Sequence, residues 1–264
     1  MPEIESLLAD LPAVPNPAEV LTVVERAFET FADRGDYGKM IRVVVPGVEK
    51  VYGVRVPVLR KLGKGIRAAY KQDQAALEAL ALESWARGSR EHEILALVLL
   101  KYVKELTPAE RWSMGLRFLP RVKHWEACDQ LCGSLLGDAL AQDAGYMDEL
   151  ETWIEDDNFW IRRAALVTTV LLRRSKHPPE VALDLDRRTL AMCEALLDDR
   201  EGYIRKAVDW AIRETIKRRY DLGCEWMMTQ ALSNPSRTAR STLKLASKKL
   251  DDADRQAFLS KLGV

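Results

Sequence analysis

Residues able to do chemistry are sparse in this chain, and the densest group of them lies in 124–136, HWEACDQLCGSLL. Read as a helix, the segment places Ala127, Cys128, Leu131, Cys132 and Leu135 on one apolar stripe, with Trp125 and Asp129 one turn apart on its flank. A carboxylate beside a rigid indole is a poor way to fill a core. It is a useful way to hold a cation or a developing positive charge. The same spacing also arises on ordinary amphipathic helices, with the Trp half-buried and the Asp solvated.

Two further groups carry charge in a pattern. In 202–220, Ile204, Val208, Ala211, Ile212 and Ile216 form an apolar face, while Lys206, Trp210, Arg213 and Lys217 form a straight stripe on another. A Trp flanked by cations suits a phosphate backbone, with the indole packing on a sugar or base; the plainer alternative is a solvated basic stripe whose members pair with neighbours such as Glu214. Arg163 begins a face that continues as Val167 and Val170, so it either packs its stem and snorkels or aims its guanidinium into a groove. Arg55, Arg60, Lys61, Lys64 and Arg67 make a local basic cluster, read as a second backbone-contacting edge or as a solvated helix face.

Other chemistries are absent as motifs. The four cysteines, at 128, 132, 193 and 224, form no C-x-x-C and the three histidines lie far apart, so no metal site is expected. Cys128 and Cys132 fall on the apolar stripe, where thiols serve as small hydrophobes. LGKGIR lacks the spacing of a phosphate loop, and there is no G-x-S-x-G, no H-E-x-x-H and no helix-hairpin-helix glycosylase signature. Lys plus Arg and Asp plus Glu each number 40, so overall charge identifies no partner. No basic leader and no apolar run of membrane-spanning length appear, which fits a cytoplasmic protein.

The elements that must hold these residues are helices, because almost every segment repeats with a 3.6-residue period and none alternates convincingly. The pattern places helices over 17–31, closed by Gly35, then 57–71, 73–86, 89–105, 108–119, 124–140, 146–155 and 159–174. Others follow over 179–197, 202–220, 222–232, 235–250 and 253–262. Asn16-Pro17 reads as a cap and first-turn proline. Residues 35–57, rich in Gly, Val and Pro, break the pattern; 41–45 reads as an irregular loop, with a short strand as the alternative.

A repeat is visible in this string. Asp156 precedes Arg162, Asp199 precedes Arg205 and Asn234 precedes Arg240 by six residues each, and the starts differ by 43 and then 35. These periods suit HEAT-like helical pairs, in which the acid caps a helix N-terminus and the arginine pairs between repeats. At 264 residues the chain has room for one elongated domain or two compact ones. The expectation is a single HEAT-like-repeat domain over 1–264, an all-α right-handed solenoid with a concave groove, irregular over 1–56 and repetitive over 57–264.

Four blocks in order resemble the AlkD-like DNA alkylation repair family, HEAT-like-repeat DNA glycosylases. YGVRVPVLRKLGKGI, HWEACD, DNFWIRRAAL and RKAVDWAIRE each look like a family segment, and the likeness runs from about Tyr37 to Leu250. It implies a superhelix that binds duplex DNA carrying alkylated bases, acts as a monomer without metal or cofactor, and removes N3- or N7-alkylated purines in a cytoplasmic, nucleoid-associated setting. Carried over by position, Asp129 matches the catalytic carboxylate, Trp125 its partner indole and Arg163 the catalytic-site arginine. Trp210 matches a second groove Trp with Arg213 beside it, Lys206 joins them on the DNA-binding stripe, and Tyr37 matches a tyrosine near the lesion. The chain departs from the pattern at Glu126, where the family carries Asp, and in a longer loop over 39–50. A non-catalytic HEAT-like module binding DNA or a protein is the competing reading, against which the joint presence of Trp125, Asp129, Arg163 and Trp210 argues.

Overall fold

The computed structural model describes residues 2–101, 103 and 106–264, and among these the regular elements are helices, with no strand. An isolated parallel bridge joins Lys50 to Ser89. The chain divides into two compact units, Met1–Leu135 and Leu136–Val264.

In the first unit, α1 (Pro2–Ala9) precedes α2 (Pro17–Thr30), which starts where Asn16 and Pro17 dictate. The Asn16 side chain accepts from the Ala18 and Glu19 amides at 3.0 and 3.3 Å, and Pro17 takes a first-turn position that needs no N–H. Gly35 does not close this helix, which stops at Thr30; it lies at the cap of the next, α3 (Asp36–Val44). Residues 41–44 are therefore helical rather than loop or strand. Burial at helical spacing is the reason: Tyr37, Ile41 and Val45 line up over an apolar cluster with Val48, Val51 and Trp125, while Val43 points outward, 78% exposed.

Helices α4 (Val56–Ala69), α5 (Gln74–Ala86), α6 (Arg90–Lys101), α7 (Pro108–Phe118) and α8 (Trp125–Leu131) complete the unit. Asp73 caps α5 through the Ala76 amide at 2.9 Å, and Thr107 and Glu110 form a reciprocal capping box on α7. The helix expected over 89–105 spans Arg90–Lys101 and Val103 is not helical, while Tyr102, Lys104 and Glu105 lie outside the described residues. α6 is the centre of the unit. It packs on α4, α5 and α8, and every residue from Arg90 to Leu100 is buried. Its Ile94, Leu95, Leu97, Leu99 and Leu100 each contribute about 1.5–3 kcal/mol through removal from water.

The helix expected over 124–140 is interrupted by a π-type turn at Cys132–Leu136, after which α9 (Gly137–Leu140) opens the second unit. α10 (Tyr146–Trp153) and α11 (Phe159–Thr169) follow, α11 tightening into a 3-10 turn through Arg174. Then come α12 (Pro179–Ala195), α13 (Gly202–Arg218), α14 (Tyr220–Leu232), α15 (Arg237–Ala246) and α16 (Asp252–Leu262). α13 is the hub, packed against α11, α12, α14 and α15 with Ile204, Val208, Ala211, Ile212 and Ile216 buried as their spacing requires.

The repeated Asp and Arg residues work differently from expectation at one end and as expected at the other. Asp156 and Asp199 do not cap helices; each accepts from the amide two residues on, Asn158 at 2.7 Å and Glu201 at 2.8 Å, and Asn158 is the cap of α11. Arg162 does pair between repeats, donating to Asp199 at 2.9 Å and to the Asp156 carbonyl at 2.7 Å. Among the described residues Arg205, exposed, makes no such pair. The third copy carries the neutral Asn234, in a left-handed conformation at φ 54°, where an ion pair needs a carboxylate.

Buried His92 makes the first unit pH-sensitive. Its Nδ1 lies 2.7 Å from Ser89 Oγ, the Phe28 and Tyr52 rings pack on it, and Nε2 lies 3.5 Å from Glu25 Oε1, out of hydrogen-bond geometry. Burial, aided by the charges of Lys50 and Arg87, pulls its pKa down to about 4. The unfolded chain takes up this proton near pH 6.5 and the folded chain does not, so the contribution is whole above that pH and is lost as pH falls toward 4. Urea unfolding at pH 7.5 and 4.5 should show a loss reaching about 3 kcal/mol in the wild type, and a visibly flatter pH dependence in His92→Gln.

Candidate functional site at the head of helix 8

The N-terminus of α8 is held by buried polar groups. His124 caps it: Nδ1 accepts from the Ala127 amide at 3.2 Å, which leaves the proton on Nε2 to bond Glu93 Oε2 at 2.7 Å. Glu126, in the first turn, receives two guanidinium bonds from Arg90, Nε to Oε2 at 2.6 Å and Nη2 to Oε1 at 2.8 Å. Arg90 is 1% exposed. Its Nη1 reaches the Val54 carbonyl at 3.1 Å and Glu91 at 3.2 Å, and Nη2 reaches the Tyr37 hydroxyl at 3.4 Å. Burial disfavours the Arg90 charge, yet the Glu126 bonds and charge, with Tyr37 and Glu91, outweigh it and hold the guanidinium above its ordinary pKa.

Glu91 extends this network into the loop before α4. Its carboxylate accepts from the Tyr52, Gly53 and Val54 amides at 3.0, 3.1 and 3.2 Å. Gly53 is required there: its φ is +85°, and a Cβ would come within 2.2 Å of the Asp33 carbonyl oxygen. The loop is thus fastened to Arg90 and Glu91 and the head of α8 to Arg90 and Glu93, with Arg90 common to both.

On this base sit three of the residues singled out by sequence. Trp125 is half-buried against Ile41, Val45 and Val51, and its Nε1 donates to the Val44 carbonyl at 2.8 Å, which fixes the plane of the indole. Asp129, one turn on, is also half-buried, with the π-type turn immediately after its helix. Tyr37 packs on the same cluster as Trp125, with the Arg55 guanidinium 4.6 Å from its ring centre. Cys128 and Cys132 are buried among the apolar stripe, as their positions require. Beside the cap, a cavity of about 330 Å³ is lined by Trp85, Arg90, Glu93, Lys123 and His124, with Lys123 and Glu49 paired at 2.6 Å.

The remaining candidates belong to the second unit. Arg163 is 4% exposed and donates from Nη1 to the Tyr203 carbonyl on α13 at 2.6 Å. On α13, Lys206 and Lys217 are exposed and Trp210 and Arg213 half-buried, so the stripe faces outward. Lys206 lies 5.5 Å from the Tyr203 ring centre. Arg213 is held by Asp209, four residues before it, at 2.9–3.1 Å, and Lys217 by Glu214 at 2.5 Å. Of the basic cluster, Arg60 and Lys64 are exposed while Lys61 reaches Glu5 at 3.3 Å.

Arg90 and Glu91 were not singled out by sequence reasoning, and Glu126 only as a departure from the family pattern, although one signal was present. The run REHE opens a helix whose next seven residues are ILALVLL. A helix apolar on every side must be buried, and its polar first turn must then find partners inside.

Comparisons with known proteins agree with this architecture. The model of a family described as DNA alkylation repair enzyme matches residues 24–250. A predicted DNA alkylation repair enzyme from Enterococcus faecalis has a solved structure that superposes with a TM-score of 0.62 at 21% identity, covering 82% of this chain and 95% of that one. The crystal structure of smu.31 from Streptococcus mutans UA159 superposes with a TM-score of 0.52 at 21% identity, covering 74% and 99%. No curated protein matches the chain. Among the described residues no helix is long and apolar enough to cross a membrane, and no cluster of His, Cys, Asp or Glu suited to a metal ion occurs.

Removing one member of a buried, bidentate ion pair leaves the other charged and unsatisfied. Glu126→Ala should therefore cost about 3–5 kcal/mol in urea unfolding followed by Trp fluorescence. A cost under 1 kcal/mol would show that the pair does not hold the head of α8.

Proposed function

This chain belongs to the DNA alkylation repair enzyme family, and on that premise we propose that it is a DNA glycosylase hydrolysing the N-glycosidic bond of cationic N3- or N7-alkylated purines in duplex DNA. The observation that carries the reading is local to α8: a half-buried Asp129 one turn from an indole whose orientation the Val44 carbonyl fixes. A carboxylate so placed is shielded enough to act strongly on nearby charge and open enough to meet a ligand.

The proposed chemistry asks little of the protein. Alkylation at N3 or N7 makes the purine a cation, so when the C1′–N9 bond breaks the electron pair goes to the base, which leaves neutral without a general acid. What remains is a sugar with oxocarbenium character and a water whose oxygen bonds C1′ and releases a proton to solvent. The Asp129 carboxylate would stabilise the sugar and orient the water. Trp125 and Trp210 would contact cationic nucleotides by cation–π and C–H packing, worth about 0.5–2 kcal/mol each. Arg163, buried and bonded to the Tyr203 carbonyl, would hold the adjacent phosphate in this reading. Lys206 and Arg213 would serve the DNA backbone, and Tyr37 the neighbourhood of the lesion. The right-handed stack of HEAT-like pairs with a concave groove, acting as a monomer, belongs to the same proposal.

The test is release of 7-methylguanine from methylated duplex. Asp129→Asn should lower release by about 10²–10³-fold while leaving affinity for undamaged duplex unchanged at each salt concentration. Wild-type release rates in the variant would remove the carboxylate from the mechanism.

A further inference from the structure

The second unit holds a cavity of about 260 Å³ where the chain leaves α11 and α13 beside α12, lined by Leu172, Arg173, Ser175, Asp186, Arg218 and Arg219. Three guanidiniums meet one carboxylate there. Asp186, 3% exposed, accepts from Arg218 Nε and Nη2 at 2.9 and 2.7 Å and from Arg219 Nε at 2.8 Å, so both its oxygens are engaged. Arg219 also reaches the Pro179 carbonyl at 3.2 Å. Arg173 is different: it is exposed, and its ion pair with Glu214 is long, 3.8 Å, while Lys217 holds the other Glu214 oxygen at 2.5 Å. With Lys217 and Glu214 cancelling, three arginines against Asp186 leave a formal charge of +2 around the cavity.

The C-terminal end of α13 explains part of this, since a helix C-terminus favours cations. It does not account for Arg173, which reaches the same cavity from the turn after α11. Asp186 fixes the planes of Arg218 and Arg219 by charge-assisted bonds, so the donors facing the cavity are preorganised rather than mobile. Excess positive charge and guanidinium planes fixed around an open cavity describe an anion site, and planar forks match tetrahedral oxyanions bearing two or more oxygens.

We propose that this cavity binds a phosphate group, with Arg173 and Arg219 as its donors and Arg218 held behind them by Asp186. The phosphate can come from two sources, a free phosphate or small phosphorylated molecule, or a phosphodiester of a nucleic-acid strand, and the experiment separates them. The full chain is heated in sodium phosphate and in sodium chloride of matched ionic strength. Its affinity for undamaged duplex is then measured over a range of salt.

The variants are Arg173→Gln, which removes an exposed side chain with one long ion pair, and Arg173→Gln/Arg219→Gln. The control is Arg174→Gln, which removes the same charge one residue along but lines a separate cavity. A free-phosphate site predicts that phosphate at ten times its Kd raises the wild-type Tm by about 3–6 °C, and that the shift is lost in the double variant and kept in Arg174→Gln. A strand site predicts no such shift. Instead, duplex affinity falls severalfold in Arg173→Gln but not in Arg174→Gln, and the log–log salt slope falls by about one. No phosphate-specific shift together with equal duplex affinities in Arg173→Gln and Arg174→Gln would overturn the proposal, as would equal effects of the two substitutions. Because the duplex is undamaged and no base release is measured, the outcome does not depend on whether Asp129 supports excision.

Discussion

A guanidinium that is 1% exposed needs acceptors on every side, and the first unit is built to provide them for Arg90. Glu126 comes from α8, the Val54 carbonyl from the loop before α4, the Tyr37 hydroxyl from α3 and Glu91 from the adjacent position on α6. α3, the loop that follows it, α6 and α8 are therefore tied through one side chain. A second carboxylate, Glu91, passes the constraint on to three successive loop amides. Each of these groups would be unsatisfied without the others, so the arrangement is specific as well as stabilising.

The candidate site inherits its geometry from this contact. Trp125 precedes Glu126 in the chain and Asp129 lies one turn beyond it, so anchoring Glu126 to α6 sets the rotation of α8 that turns both residues away from the apolar stripe. The Trp125 bond to Val44 then aligns the indole against α3, whose own packing rests on Ile41 and Val45. The Glu126 side chain spans the distance to Arg90 in bidentate fashion.

Much of this was legible in the sequence because helices announce themselves by local spacing. The apolar stripe of 127–135, the buried face of α13 and the Asn16-Pro17 start all follow from contacts within one or two turns. Residues 41–44 were not legible, because Val43 and Val44 have strand preference and only the burial of Ile41 and Val45 against Val51 and Trp125 overrides it. The repeated acids were recognisable as a repeat, yet their use in turns before the caps depends on backbone geometry that spacing does not encode. The Arg90–Glu126 pair joins residues 36 apart, so the apolar run after REHE says that Arg90 must find a buried partner while nothing local says which.

Amide hydrogen exchange in Arg90→Met, read residue by residue against the wild type, probes the central claim most directly. If the buried guanidinium fastens the loop and the head of α8, the amides of Tyr52, Gly53 and Val54 and those of 127–129 will lose protection together, while those of α2 keep it. Unchanged protection in both segments would contradict the account.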